Sequence, residues 1–223
     1  MKNTFERAKD QEADLPRWLY FGESYFQEKV LFSLSNQLLE IHSTGCENIL
    51  EIGKGNGFVS EFLKISGKKV TTLDVNESLK PDIVAGVEDL EKYFKENQFD
   101  CILCAEVLEH LPFGNFSSSL KHILWATSQF AVISLPINLP RYNLLSGSYE
   151  MKLPKLKSFR GSINLSLPWL KRKIYSGHHW EINSEKNTDI HSIREKINEF
   201  FFIKKDYQFY HNRYHRFFVL EKK

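Results

Sequence analysis

ILEIGKGNGFVSEFL, residues 49–63, begins as an apolar run, passes through three alternating glycines and resumes with apolar residues at helical spacing. This order predicts a strand, a tight turn and a helix. Gly53, Gly55 and Gly57 permit positive φ angles and a close approach of the backbone to a ligand, and the helix presents unpaired N–H groups at the same point. The stretch therefore predicts a binding site for a nucleoside-bearing cofactor.

The glycine pattern alone does not choose the cofactor, because the dinucleotide fingerprint also begins G-x-G. That fingerprint needs glycine or alanine where this chain has Phe58, so that the helix packs closely on its strand and leaves room for a pyrophosphate. Phe58 therefore argues against NAD. Asp74 ends the next apolar run, KKVTTLD. At this place NAD and other nucleoside-bearing cofactors alike need a carboxylate that faces the ribose, so Asp74 does not choose between them.

Two later segments extend the pattern: DIVAGVEDL at residues 82–90 and FDCILCAEVLEHLPF at residues 99–113. The first is expected at the end of a third strand, and the second is expected to be a fourth strand that runs into the loop E-V-L-E-H-L-P. Together with EIGKGNG and LDVN, these motifs resemble the class I S-adenosylmethionine-dependent methyltransferases, in particular the small-molecule branch that carries E-V-L-E-H. The resemblance covers residues 49–112.

The resemblance implies S-adenosylmethionine as the cofactor and S-adenosylhomocysteine as its product. Glu51 and the three glycines would contact the amino-acid end of the cofactor, and Asp74 would accept hydrogen bonds from both ribose hydroxyls. The other contacts that the resemblance implies, along the adenine and the methionine portion, are Val75, Val87, Glu88 and Glu106.

The chain departs from the family at Ala85-Gly86, where Gly-Asp is common, so the acid that usually reads the adenine amino group is missing. The main chain or the side chain of Glu88 can make this contact with the adenine amino group instead. Structural alternatives also stay open: the glycines can form an ordinary strand–helix turn, Asp74 can be an N-cap, and Glu106 and Glu109 can be solvated acids of a loop.

Three histidines are candidates for a catalytic base: His110 after the fourth strand, and His178 and His179 in GHHWEI. Transfer to an oxygen or carbon acceptor needs an in-line methyl group and often a base near neutral pH, which imidazole supplies. Adjacent side chains usually diverge, so at most one of the pair is expected to face the reaction, and packing is the alternative for all three. No metal site is predicted, because zinc would need a third and a fourth ligand.

Residues 137–188 form a long connection in which substrate choice is expected to reside. Between residues 151 and 176 this insert has seven basic residues and no acid, although the net charge of the chain is only +2. Such an excess can attract an anionic small molecule, a phosphate or a membrane surface, and it can equally be a solvated loop. The seven are Lys152, Lys155, Lys157, Arg160, Lys171, Arg172 and Lys173.

Length and composition predict one domain over residues 1–223, with an N-terminal helical cap at 1–45 and the insert on the substrate side. The alternation of strands and helices predicts an α/β fold with a parallel sheet, and the resemblance implies a Rossmann-like, seven-stranded, mostly parallel sheet with helices on both faces and an antiparallel last strand. Residues 15–24, LPRWLYFGES, are expected to lie over the cofactor as a lid. Strands are predicted at 49–52, 70–74, 101–105 and 130–135, and helices at 25–41, 57–66, 88–96, 115–126 and from Asp189.

The function expected is methyl transfer from S-adenosylmethionine to a small acceptor, with an anionic acceptor as one option and O- or C-methylation favoured. Nucleic acid is disfavoured, because EHLPF stands where many base-amino methylases carry N/D-P-P-Y/F. A charged N-terminus and the lack of an apolar run of about 20 residues predict a cytoplasmic protein. An NAD-dependent oxidoreductase and a non-catalytic S-adenosylmethionine-binding module stay open as alternatives, and the oligomeric state is not predicted.

Overall fold

A computed structural model describes residues 4–140, 143–151, 159–166 and 172–223. The strands in these ranges are β1 Asn48–Ile52, β2 Lys69–Asp74, β3 Ile83–Val84, β4 Phe99–Ala105, β5 Thr127–Pro136, β6 Asn143–Met151, β7 Phe159–Ser166, β8 Phe201–Gln208 and β9 His215–Lys222. The α-helices are α1 Thr4–Ala13, α2 Glu28–Thr44, α3 Phe58–Ile65, α4 Leu90–Tyr93, α5 Phe116–Ala126 and α6 Ile190–Asn198. Among the described residues, no helix has both the length and the apolar character needed to cross a membrane.

Seven strands form one sheet in the order β3-β2-β1-β4-β5-β9-β8. The first five are parallel, β9 is antiparallel to β5, and β8 is antiparallel to β9. The strand order reverses between β1 and β4, and ligands of open α/β sheets bind at such a switch point, outside the carboxyl ends of the strands. The predicted Rossmann-like sheet with an antiparallel last strand is confirmed.

Helices cover both faces of the sheet, as predicted. Successive side chains of a strand point to opposite faces. On one face Ile49 of β1 belongs to a buried cluster with Ile41 of α2 and Leu63 of α3. On the other face Leu50 belongs to a larger cluster that includes Leu120 of α5. The sheet is therefore enclosed between two apolar layers, and its carboxyl edge remains available for a site.

Two predicted helices differ from the structure at their ends. The helix expected at 88–96 is a 3₁₀ turn, Val87–Asp89, followed by the single α-helical turn of α4. Phe94 leaves the helix with extended backbone and packs edge-on against Phe99, with ring centroids 4.9 Å apart. Helix α2, predicted at 25–41, begins and ends three residues later, and Gly45 caps its end with a left-handed φ of 72°.

The insert at 137–188 contains a β-hairpin, β6 and β7, which forms a two-stranded antiparallel sheet of its own. Ile137 and Ile182 pair in an isolated parallel bridge, so the two ends of the insert meet. Part of the predicted basic cluster lies outside the described residues, namely Lys152, Lys155, Lys157, Lys171 and the side chain of Arg160. Its attraction for an anion therefore stays a prediction.

Candidate functional site

A cavity of about 980 Å³ opens at the carboxyl ends of β1, β2 and β4. Pockets for small molecules usually measure about 300–1,000 Å³, so this one has room for a nucleoside cofactor beside a second small molecule. Its wall combines the glycine turn after β1, the end of β2, the loop after β4, the N-terminal segment and the chain around Tyr175 and Tyr214.

The glycine turn has a backbone that other residues would strain. Gly53, Gly55 and Gly57 have φ angles of 81°, 55° and 78°, all in the left-handed region. A Cβ added at Gly53 would also lie 2.3 Å from Cγ2 of Val107. Gly53 and Gly55 line the cavity, whereas Gly57 caps the start of α3. Conformation and close approach therefore require glycine at this turn, as the cofactor interpretation predicts.

Glu51 presents a buried carboxyl group to this end of the cavity. The residue is 4% exposed, and its Oε2 has no hydrogen-bond partner among the described residues. Burial raises the pKa of Glu51 to about 8. A buried polar atom without a partner is costly, and a cationic group would relieve that cost. The site therefore fits a ligand with an ammonium group, such as the amino-acid end of the predicted cofactor.

Asp74 connects the end of β2 to the glycine turn. Its Oδ1 accepts a hydrogen bond from the Asn76 N–H at 2.9 Å, and its Oδ2 accepts one from the Gly55 N–H at 3.2 Å. Burial raises the pKa of Asp74, and these backbone hydrogen bonds act in the opposite direction. The side chain lines the cavity beside Val75, so these hydrogen bonds hold its carboxyl group at the cavity wall.

The predicted adenine-side residues also line the cavity. Val87 is buried, and Val87 and Glu88 lie on the wall with Gly86. The carboxyl group of Glu88 folds back over Gly86, where an added Cβ would lie 2.3 Å from Glu88 Oε2. This places an acid beside the position where the family commonly has one.

The loop after β4 brings two acids into the interior. Glu106 has a φ of 54°, which strains a non-glycine residue and is a feature of functional sites. Its Oε1 accepts a hydrogen bond from Ser134 Oγ at 2.9 Å, and its Oε2 lies 3.3 Å from Nε2 of His215. Burial raises the pKa of Glu106 to about 8. Glu109 is fully buried, so the interpretation of Glu109 as a solvated acid is wrong.

Two of the three candidate histidines lie on the cavity wall. Nδ1 of His110 is 2.9 Å from Glu12 Oε1 and 3.0 Å from the Gly177 carbonyl oxygen. The His178 ring lies edge-on to that of His110, with centroids 4.9 Å apart. Both line the cavity. His179 is not part of this wall, and its backbone N–H donates to the Glu109 carbonyl oxygen at 2.8 Å.

A buried carboxylate, Glu181, organises the wall around His178. It accepts hydrogen bonds from Arg172 Nη2 at 2.7 Å and Tyr214 Oη at 2.8 Å, and its Oε1 is 3.2 Å from His178 Nδ1. Burial alone would raise the pKa of Glu181, but hydrogen bonds from His178, the Tyr175 amide and Tyr214 lower it to about 2. Burial also lowers the pKa of His178. A neutral imidazole therefore lies beside an ionised carboxylate.

The N-terminal segment covers the cavity from the other side. Leu15, Leu19 and Tyr20 from the predicted lid line it, together with Glu12 at the end of α1. Asn76 Nδ2 donates hydrogen bonds to the backbone oxygens of Leu15 at 2.7 Å and Glu12 at 3.3 Å. These contacts attach the segment directly to the loop after β2, beside Asp74.

The sequence interpretation missed four side chains of this site, which are Glu12, Glu181, Tyr214 and His215. Glu181 had a signal, because it belongs to the same GHHWEI segment as the candidate histidines. The other three are remote in sequence from every motif, and only the fold brings them to the cavity.

Residues 50–124 match a family model described as a methyltransferase domain. A ubiquinone biosynthesis O-methyltransferase of Coxiella burnetii is 36% identical in an alignment 78 residues long that covers 30% of this chain and 33% of that protein. The magnesium protoporphyrin IX methyltransferase of Synechocystis PCC 6803, solved with bound S-adenosylmethionine, has 13% identity and a TM-score of 0.64, with 100% of this chain and 99% of that one covered. A Burkholderia thailandensis 1,6-didemethyltoxoflavin-N1-methyltransferase, solved with 1,6-didemethyltoxoflavin and S-adenosylhomocysteine, has 12% identity and a TM-score of 0.59, with 100% and 92% covered.

The fold is that of the class I S-adenosylmethionine-dependent methyltransferases, and the predicted resemblance to that class is confirmed. The chain matches only about a third of the length of the curated ubiquinone biosynthesis relative.

Proposed function

We propose that this protein transfers a methyl group from S-adenosylmethionine to a small-molecule acceptor. The observation that carries the proposal is that the same cavity joins Glu51, the glycine turn and Asp74 to the wall with His110 and His178. When bound, S-adenosylmethionine supplies a methyl group on an electrophilic sulfonium. Alignment of the acceptor with that methyl group is therefore the main task of the protein.

The described residues fit the parts of this cofactor. The unpartnered Glu51 oxygen suits the ammonium of the amino-acid end, and Asp74 suits the ribose hydroxyls. Val75 and Val87 offer apolar contacts for the adenine, and Glu88 replaces the acid that commonly reads its amino group. The left-handed glycines let the backbone approach without a side chain in the way.

The imidazole groups of the opposite wall are prepared to accept a proton. His178 Nδ1 faces the Glu181 carboxylate and His110 Nδ1 faces the Glu12 carboxylate, so each Nδ1 carries the proton and each Nε2 keeps a lone pair. Burial lowers the pKa of His178, which favours this neutral form. After proton uptake from an acceptor, the ionised Glu181 would stabilise the imidazolium. This arrangement supports an oxygen or carbon acceptor that must lose a proton.

The comparisons and the charges on the cavity wall bear on the size and the charge of the acceptor. The Burkholderia methyltransferase was solved with a small molecule, and the ubiquinone biosynthesis relative is named an O-methyltransferase, which supports a small acceptor here. Lys29 lies on the wall and supports an anionic one. Arg172 contributes little to that charge, because it is paired with Glu181. A cytoplasmic location and contact of the basic insert with a membrane surface stay predictions.

Titration calorimetry with S-adenosylhomocysteine and, separately, with NAD tests the cofactor. We expect one molecule of S-adenosylhomocysteine to bind and NAD to give no heat. Methyl-labelled S-adenosylmethionine and a panel of small hydroxy acids and phenols then test transfer. Label in a small-molecule product supports the proposal, whereas binding of NAD in place of S-adenosylhomocysteine overturns it. Cofactor binding with label in nucleic acid alone would overturn the small-molecule acceptor.

A further inference from the structure

We propose that Glu109, His110 and His178 form a binding site for a divalent first-row transition-metal ion. One carboxylate oxygen and one imidazole nitrogen from each histidine lie within 4.8 Å of one another. Nε2 of His178 is 4.0 Å from Glu109 Oε1. Ligand atoms about 2.0–2.2 Å from one ion lie about 3–4 Å apart, so a small inward movement of these side chains would close the site.

Glu109 is the observation that points to a ligand. Its side chain is fully buried, and apart from its own backbone N–H and the carboxyl group of Glu106, neither carboxylate oxygen has a hydrogen-bond partner among the described residues. Buried carboxyl groups are almost always partnered, and an exception calls for a specific explanation. A divalent cation is a partner that a buried carboxylate beside two imidazole nitrogens can hold.

Both histidines are oriented in the way that metal-binding histidines are. Metal-ligating imidazoles usually donate their other ring N–H to a carboxylate or a backbone carbonyl, which fixes the tautomer and the ring orientation. Nδ1 of His110 is 2.9 Å from Glu12 Oε1, and Nδ1 of His178 is 3.2 Å from Glu181 Oε1. The nitrogen left for an ion is therefore Nε2, and Nε2 is the atom of His178 nearest to Glu109 in their 4.0 Å contact.

The fold joins the two segments that supply the ligands. Glu109 and His110 lie in the 3₁₀ turn Leu108–His110 that follows β4. The backbone N–H of His179 donates to the Glu109 carbonyl oxygen at 2.8 Å, and Trp180 Nε1 donates to the Leu111 carbonyl oxygen at 3.1 Å. These bonds fix the histidine segment on the turn. The sequence predicts no zinc site, because no third ligand is evident in it, but the fold brings Glu109 to His178 from a distant part of the chain.

The ligand types favour Zn²⁺, Mn²⁺, Fe²⁺ or Co²⁺ over Ca²⁺ or Mg²⁺, because imidazole suits transition metals. Glu106 lies on the same loop, but its carboxylate oxygens contact Ser134 and His215, so Glu109 and the two histidines are the three protein ligands proposed. His110 and His178 face the cavity, so an ion between them would favour an acceptor that presents a hydroxyl oxygen. This last step rests on the proposed function. A bound ion would also occupy the Nε2 lone pairs, so at each histidine the metal role and the base role exclude one another.

Calorimetry with the metals alone tests the site on the full chain after treatment with a chelator. We expect one Zn²⁺ to bind with a micromolar or lower dissociation constant and Mg²⁺ to bind far more weakly. Loss of an outer-shell partner typically weakens metal binding about 10–100-fold, so Glu109→Gln and His178→Asn should each weaken Zn²⁺ binding at least about 100-fold. His179→Asn is the matched control, because it removes the adjacent histidine, which does not line the cavity.

The outcomes separate this proposal from the cofactor proposal. S-adenosylhomocysteine binding, measured with chelator present, shows that each variant is folded and reports the cofactor end alone. A wild-type protein that binds S-adenosylhomocysteine but not Zn²⁺ overturns the metal site and leaves the cofactor site standing. Zn²⁺ binding that Glu109→Gln and His178→Asn leave within about twofold of wild type also overturns it. If a variant does not fold, the visible absorption of Co²⁺ bound to the wild type must show nitrogen and oxygen ligands, and a spectrum of free Co²⁺ refutes the site.

Discussion

The two ends of the cavity are built in different ways. The end proposed to bind the cofactor, called the cofactor end, comes from residues 51–57 and Asp74, which two adjacent parallel strands bring together. The end proposed to bind the acceptor, called the acceptor end, combines side chains from α1, the loop after β4, the insert and the start of β9, among them Glu12, His110, Glu181 and Tyr214. The first is specified by local backbone geometry, and the second by contacts between distant segments.

This difference determines how each end should fail. At the cofactor end the backbone is held in left-handed conformations, and at Gly53 it leaves no space for a Cβ atom, so added atoms should be most damaging there. At the acceptor end a network around Glu181 shares several donors, so loss of one hydrogen bond should cost less. Variants at the two ends should also separate in what they affect, cofactor affinity at one end and stability or turnover at the other.

The largest effect is expected for Gly53→Ala. Its Cβ would lie 2.3 Å from Val107 Cγ2, at a φ of 81°. The left-handed conformation costs about 1–2 kcal/mol and the overlap about 1–3 kcal/mol, so S-adenosylhomocysteine affinity and stability together should fall by about 2–5 kcal/mol. Calorimetry and urea unfolding measure the two parts.

Gly114→Ala is the matched control for that variant. Gly114 has no heavy atom within 4 Å of an added Cβ and no left-handed φ. Its substitution should leave cofactor affinity within about twofold and stability within about 0.5 kcal/mol. Equal effects of the two alanines would contradict the claim that backbone geometry specifies the cofactor end.

The next largest effect is expected for Asp74→Asn. Hydrogen bonds to a charged partner contribute about 1.5–3 kcal/mol, so the amide should weaken S-adenosylhomocysteine binding about 10–100-fold by calorimetry. Asp82→Asn is the comparison, because Asp82 accepts hydrogen bonds from Thr72 in a similar way but does not line the cavity. If both variants bind the cofactor as the wild type does, Asp74 is not the ribose carboxylate.

The same contrast explains how far the sequence could predict the molecule. Strand and helix positions, the parallel order and the cofactor end follow from local signals: apolar periodicity, the glycines and the acid at the end of β2. Each of these signals lies within a single strand–turn–helix unit. Their positions are therefore set by short-range sterics and hydrogen bonding, which a sequence pattern records.

The acceptor end could be predicted only in part. His110 and His178 were identifiable from their motifs, but the burial of Glu109 depends on the segment that crosses over it from the insert. Glu12 is an ordinary acid of a charged helix until α1 docks on the loop after β2 and brings it to His110. Such placements arise from tertiary packing, for which a single sequence carries no local signal.

A pH dependence is expected at the cofactor end. Burial raises the pKa of Glu51 to about 8 from 4.5, so its carboxyl group is mainly protonated near neutral pH. A ligand ammonium prefers the ionised form, and S-adenosylhomocysteine affinity should rise with pH, at most about tenfold per unit between pH 6 and 8. The raised pKa also means that the free protein loses stability as pH rises through this window, because the folded state holds this proton more tightly than the unfolded state.

Glu51→Gln isolates that carboxyl group from Asp74 and Glu106, whose pKa values burial also raises. The amide of Glu51→Gln cannot ionise. The variant should therefore bind S-adenosylhomocysteine more weakly than the wild type at pH 8, and its affinity should change less with pH. Calorimetry at three pH values measures this. A pH profile identical to that of the wild type would show that Glu51 does not meet the ammonium.

The smallest effect is expected for Tyr214→Phe, at the acceptor end. The change removes the hydrogen bond to Glu181 Oε1, while Arg172, the Tyr175 amide and His178 still contact that carboxylate. Stability in urea should therefore fall by only about 1 kcal/mol, and S-adenosylhomocysteine affinity should stay within about twofold. Tyr207→Phe, which removes a similar bond to Glu40 away from the cavity, should cost about the same stability. A tenfold loss of cofactor affinity in Tyr214→Phe alone would mean that the two ends are coupled through the wall, because a tyrosine hydroxyl at one end would then be needed to shape the other.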